Sequence, residues 1–152
     1  EQVGSILSEQ SLAVIPTKTI PQGISAILSF QEEEDFEKNK EAMTESLSYI
    51  HSGEITYAVR DTSIDGREIH SGDILFLGDQ GLLSAAKDIS SAVKESLPKM
   101  GEGEILTLYY GEEVKEEDAE ALVSEIQNEH PELEVELHRG GQAVYYYIVS
   151  LE

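Results

Sequence analysis

The chain has 152 residues and carries 31 acidic against 10 basic side chains, a net charge of −21. That excess repels phosphates, which excludes nucleic acid as a partner. It also disfavours anionic membrane surfaces, while it suits either a plainly soluble surface or a basic protein partner. Cysteine is absent, so disulfide frameworks and thiolate metal sites are excluded, and an apolar content of 39% is enough for one medium domain or two small lobes.

The chain opens without Met inside a helical pattern, Glu1 to Ser8, with Val3, Ile6 and Leu7 on one face. This start suggests a fragment of a longer protein. Leu12-Ala13-Val14-Ile15 reads as a short, buried, parallel strand. The loop Pro16 to Gly23 and a helix from about Gln22 to Phe30 would complete half of a βαβ unit. A second helix follows the acidic stretch Gln31 to Asp35, with Phe36, Ala42, Met43, Leu47 and Ile50 as its stripe, and stops at Ser52-Gly53. Residues 1–52 are thus expected to form a partial α/β first lobe.

Residues 53–152 read as a second lobe of mixed, mostly antiparallel sheet with two helices. Glu54 to Thr62 alternates as a strand, followed by turns at Ile64-Asp65-Gly66-Arg67 and Ser71-Gly72-Asp73. Ile74 to Leu77 is a strand, Gly78 to Gly81 a hairpin turn, and Leu82-Leu83 the return. The spacing of Ala85, Ile89, Ala92, Val93 and Leu97 predicts a helix over Ser84–Met100. Glu104 to Tyr110 reads as a strand, Lys115 to Glu129 as a helix ended by Pro131, and Leu133 to His138 as an alternating strand. After the turn Arg139-Gly140-Gly141-Gln142, the last strand runs from Ala143 to Leu151. No apolar run reaches membrane length and no signal peptide is visible, so a cytoplasmic protein without membrane insertion is expected.

Candidate sites are few. Thr17, Lys18 and Thr19, with Gln22 and Gly23, stand where open α/β folds bind anions, beyond a strand and at a helix N-terminus; capping by Thr19 accounts for the same residues. Arg60 and Asp61, with Thr62, read as a recognition pair or as a salt bridge ordering a hairpin. Asp61, Asp65 and Asp73 lack the spacing of a calcium loop. His51, His70, His130 and His138 are not at metal-ligand spacing. Gly140, Gly141 and Gln142 form either a phosphate approach or, more simply, a tight turn. In Tyr145-Tyr146-Tyr147, alternation sends Tyr146 to the side opposite its neighbours, where it is an interface candidate.

Taken in order, Val14 to Gly23, Asn39 to Met43, Thr56 to Thr62 with Ile64-Asp65-Gly66, Leu108 to Val114, and Gly140-Gly141-Gln142 with Tyr145 and Tyr147 resemble the C-terminal region of the bacterial fatty acid kinase catalytic subunit. That protein is also described as dihydroxyacetone-kinase-like (DhaL or DAK2 type). The resemblance implies a truncated DegV-like α/β arrangement and a role without catalytic residues of its own. ATP and magnesium would be held by a kinase domain elsewhere in the parent chain. The implied partners are that kinase domain and a separate DegV-like fatty-acid-binding protein. The domain would dock this partner or scaffold the kinase; a small-ligand module for an anion or lipid carboxylate at the Thr17–Gly23 loop, with Arg60, is the alternative.

Overall fold

The computed structural model describes residues 11–64 and 66–152. The helix expected over Glu1–Ser8, and Asp65 with its turn and cation readings, lie outside the described residues. Two compact units divide the chain between Ile50 and His51.

In the first unit, α1 (Ile20–Leu28) and α2 (Phe36–Glu45) are followed by one 3-10 turn at Ser46–Ser48. Thr19 caps α1 and Pro21 sits in its first turn, where its missing N–H is not needed. Asp35 caps α2, its Oδ1 accepting from the Lys38 N–H at 2.9 Å. Buried Asn39 ties down the connection: its Nδ2 donates to the Gln31 and Glu34 carbonyls (2.7 and 3.1 Å), and its Oδ1 accepts from the Gln31 N–H at 2.7 Å. The strand expected over Leu12–Ile15 is not formed; residues 11–18 have no regular structure. A strand needs a neighbour for its ladder, and the described residues of this unit contain none. Leu12 and Val14 are correspondingly exposed. The chain is of the α/β class as expected, but among the described residues its sheet lies wholly in residues 51–152.

The second unit contains β1 (His51–Tyr57), β2 (Thr62–Ile64), β3 (Arg67–Ile69), β4 (Ile74–Gly78), β5 (Gly81–Ala86), α3 (Ile89–Met100), β6 (Ile105–Tyr110), α4 (Glu116–Glu129), β7 (Glu134–Arg139) and β8 (Tyr147–Leu151). Six strands make one sheet in the order β5-β4-β1-β8-β6-β7, and β2 pairs with β3 as a separate hairpin. The β6–β7 pair, joined through α4, is parallel; the other pairs in the sheet are antiparallel. α3 packs on β5, β4 and β1, and α4 on β7. Ile55, Phe76, Leu106, Leu108, Val149 and Leu151 meet Val93, Leu97, Leu122 and Ile126 in the main core. A second cluster, Ala58, Ile69 and Leu75, anchors the β2–β3 hairpin.

Ser52 and Gly53, expected to stop the second helix, lie in β1 and pair with Ser150 and Val149, and three further boundaries differ from the sequence reading. β1 ends at Tyr57 rather than Thr62, because the chain leaves the sheet to form the hairpin. The helix expected from Ser84 begins at Ile89: Ser84, Ala85 and Ala86 pair with Phe76, Leu75 and Ile74 in β5 instead. Asp88 then caps α3, accepting from both the N–H and the hydroxyl of Ser91. Small residues fit either period, so the sheet edge decides. Buried Ser84 turns toward α3, donating to the Ala92 carbonyl (2.9 Å) and sharing a 2.7 Å hydrogen bond with Ser96.

The third difference is at Ala143–Tyr146, which crosses over the sheet end before β8 begins at Tyr147. The N–H groups of Gly140 and Gly141 both donate to the Tyr110 carbonyl (3.0 and 3.1 Å). The Gly111 N–H donates to the Tyr146 carbonyl (2.8 Å), and the Glu112 N–H to that of Gln142 (3.0 Å). Gln142 Nε2 donates to the Tyr109 carbonyl at 2.7 Å. A Cβ at Gly111 would collide with the Tyr145 carbonyl oxygen and lie 2.7 Å from that of Gln142. At Gly23 a Cβ would meet nothing within 4 Å. Gly111→Ala should therefore destabilise the chain by about 1–3 kcal/mol, whereas Gly23→Ala, in a helix, should be neutral or stabilise by up to about 1 kcal/mol. Urea unfolding followed by circular dichroism measures both; a Gly111→Ala midpoint equal to wild type would refute the close-approach argument.

Candidate functional site

The residues singled out from sequence belong to different elements of the two units. At the α1 N-terminus, the Lys18 N–H donates to Gln22 Oε1 (2.9 Å) and Thr19 Oγ1 accepts from the Gln22 N–H (3.4 Å). The Gly23 N–H donates to the Thr19 carbonyl. Thr17 precedes this cap and is exposed. Arg60 and Asp61 are exposed and, among the described residues, form no ion pair with each other. Asp61 Oδ1 instead accepts from the Ser71 N–H at 2.7 Å, fastening the loop to the turn before β4. Thr62 opens the small hairpin opposite Ile69. Gly140, Gly141 and Gln142 belong to the crossing segment, with Gly141 at φ 70°, and their polar groups serve the crossing itself.

Asp73 has a structural task. It is buried, accepts from Lys87 Nζ and from the His70 N–H (3.0 Å), and closes the turn between β3 and β4. These bonds, Lys87 first and then His70, hold its carboxyl below the ordinary range. No group of three or more potential metal ligands occurs among the described residues.

Tyr146, a candidate from the sequence, borders a cavity. Its ring centroid lies 5.8 Å from that of Tyr57, and it borders a cleft of about 320 Å³ between the starts of α3 and α4. Ile89, Val114 and Leu122 give the cleft apolar walls, while Glu113, Asp118 and Glu125 bring carboxylates to it. The sequence places these groups simply. The β6–β7 crossover sends the chain through Gly111–Val114 into α4, and Asp118 lies in the helix's first turn, where acidic residues offset the dipole. Lys115 at the N-cap makes no side-chain cap bond.

The three carboxylates differ. Glu125 accepts from Lys94 Nζ at 2.7 Å, and Glu129 shares the same ammonium at 2.8 Å. Hydrogen bonds from Lys94 and Ser90 lower the Glu125 pKa, and the two carboxylates raise that of Lys94. Glu113 and Asp118 have no ion-pair partner among the described residues. Tyr147, 2% exposed, also lines the cleft. Burial, followed by the charge of Asp118, pushes its phenol up to about 12. Burial and then Glu113 and Tyr57 raise that of Tyr146. Both phenols are therefore neutral across the physiological range.

The sequence reading missed Glu113, Asp118 and Tyr147 as neighbours. A usable signal existed: Tyr110-Gly111-Glu112-Glu113 leaves the carboxyl end of a parallel strand and enters a helix, the position where open α/β sheets place ligands.

The family model for the C-terminal region of FakA-like fatty acid kinase proteins matches residues 1–152. The chain belongs to this family. Protein YloV of Bacillus subtilis (strain 168) is 40% identical over 99% of the chain, a stretch that makes up 28% of that relative. Uncharacterized proteins of Staphylococcus aureus strains MRSA252 and USA300 are each 39% identical over 100% of the chain and 28% of their own length. The chain thus spans little more than a quarter of these curated relatives. Among the described residues, no helix is long and apolar enough to cross a membrane.

The Asp73 network yields a pH dependence. A carboxylate whose folded pKa is lowered stabilises the fold fully above its unfolded value of about 4, and that contribution fades as pH falls through the lower folded value. Asp73→Asn should therefore be less stable than wild type at neutral pH, with a gap that narrows below about pH 4. Urea midpoints measured across pH test this; a gap unchanged by acid would assign the loss to packing instead.

Proposed function

We propose that this chain is a non-catalytic C-terminal domain of a fatty-acid-kinase-like protein and works by docking. Its partners on this reading are a DegV-like fatty-acid-binding protein and the kinase domain of its own parent chain. The parent would phosphorylate a fatty acid presented by the DegV-like protein, with ATP and magnesium held outside this chain in the cytoplasm. The family match over all 152 residues carries the reading.

Charge supports the docking role. A net −21 surface attracts a basic partner over a distance set by ionic strength. The Lys18 and Gln22 N–H groups of the Thr17–Gly23 loop, by contrast, are already taken up in the α1 cap, which favours docking over an anion site there. Calorimetric titration of the chain with the acyl-loaded DegV-like protein of the same organism, at low and moderate salt, tests the proposal. The expected result is saturable heat with affinity that falls as salt rises. An absence of heat at both salt concentrations would overturn docking to that partner.

A further inference from the structure

We propose that the cleft between α3 and α4 receives an arginine side chain of a basic partner protein, its guanidinium held by Glu113 and Asp118 against the Tyr146 ring. This inference rests on the docking reading and names the chemistry of its contact.

The start of a helix ordinarily recruits anions. Here Glu113 and Asp118 stand at the cleft beside the start of α4 and bar them. Compensation of the helix dipole explains Glu116 and Glu117, which occupy the same first turn but do not line the cleft. It does not explain Glu113, which precedes the helix. Glu125 is occupied by Lys94, so two uncommitted carboxylates remain for an incoming cation.

A second observation is independent of charge. Tyr147 is 2% exposed and borders the cleft, and its hydroxyl has no hydrogen-bond partner among the described residues. A nearly buried phenol is poor in partners unless the cleft supplies one. The neutral phenol can accept an N–H, and a guanidinium has five to distribute.

The walls discriminate between cations. Ile89, Val114, Leu122 and the Tyr146 ring make the cleft largely apolar and aromatic. A guanidinium is planar, weakly hydrated and able to stack on an aromatic face while bonding several acceptors. An ammonium is compact and strongly hydrated, and would lose more water on entry. The volume, about 320 Å³, lies at the small end of ligand pockets, which suits one side chain rather than a peptide.

The test is a nuclear magnetic resonance titration of the isotope-labelled chain with N-acetyl-arginine amide, its lysine counterpart and its neutral citrulline counterpart. The arginine probe should give saturable shifts at residues 113–118 and 146–147; lysine should bind more weakly, and citrulline should leave these signals unmoved. The double variant Glu113→Gln/Asp118→Asn should lose at least about tenfold in arginine affinity. Glu116→Gln/Glu117→Gln, with the same change in charge, should not. Unaltered spectra away from the cleft establish that both variants fold. Absence of saturable shifts at the cleft, an equal response to citrulline, or equal losses in the two double variants would overturn the inference. Calorimetry with the DegV-like protein separates the two proposals. Full-strength partner binding by the cleft variant sinks the cleft and leaves docking. Arginine-specific shifts without partner heat sink that partner and leave the cleft's chemistry.

Discussion

The strand order of the sheet forces one crossing on which the rest of the second unit depends. β6 and β7 are parallel, and β8 runs antiparallel between β6 and β1. The chain leaving β7 must therefore pass over the carboxyl end of β6 to reach β8. It does so against Gly111, where the absence of a side chain lets the Gln142 and Tyr145 carbonyls approach the backbone. The Tyr110 carbonyl takes two N–H bonds from the far side of the crossing. Paired groups of this kind are what allow irregular backbone to lie close to a sheet.

The same crossing builds the cleft. It delivers Tyr146 and Tyr147 to the end of the sheet at which the crossover loop Gly111–Val114 turns into α4. Of the acidic groups there, Asp118 answers a different constraint, the need of a helix start for negative charge, while Glu113 precedes the helix. Two local requirements, a sharp crossing and a compensated helix end, thus bring aromatic rings and Asp118 to one cavity. α3 completes it through Ile89, positioned by the Asp88 cap.

Packing holds this arrangement, and surface charge adds little. All five residues of β8 are buried, so the strand that follows the crossing is also the centre of the sheet. No fully enclosed side-chain polar atom is left without a hydrogen-bond partner among the described residues, and Ser84, Ser96 and the Ala92 carbonyl satisfy one another inside the core. The Lys94 pair with Glu125 and Glu129 spans the α3–α4 seam with all three side chains about two-fifths exposed. Water and salt screen it, and its effect is on the relative position of two helix faces more than on total stability. A chain with 31 acidic residues must rely on its apolar core, because self-repulsion opposes compaction.

How much of this was legible in the sequence follows from the range of each signal. Helix α4 was readable because Ala119, Leu122 and Ile126 repeat at helical spacing, and β7 because Val135 and Leu137 alternate with glutamates. The β4–β5 hairpin showed in Gly78-Asp79-Gln80-Gly81. These are local patterns, and the chain alone determines them. Leu12–Ile15 carried a strand's composition without a strand to pair with, and Ser84–Ala86 carried a helix's spacing beside a strand edge that claimed it. The resemblance reached the family, but no motif disclosed the cleft: Glu113, Asp118 and Tyr147 are separated by up to 34 positions. Sequence determined which segments were helix or strand wherever period and caps agreed. Only the tertiary structure decided strand order, the crossing at Gly111 and the meeting of carboxylates with tyrosines, because pairing between distant segments is a contest among partners that no local pattern records.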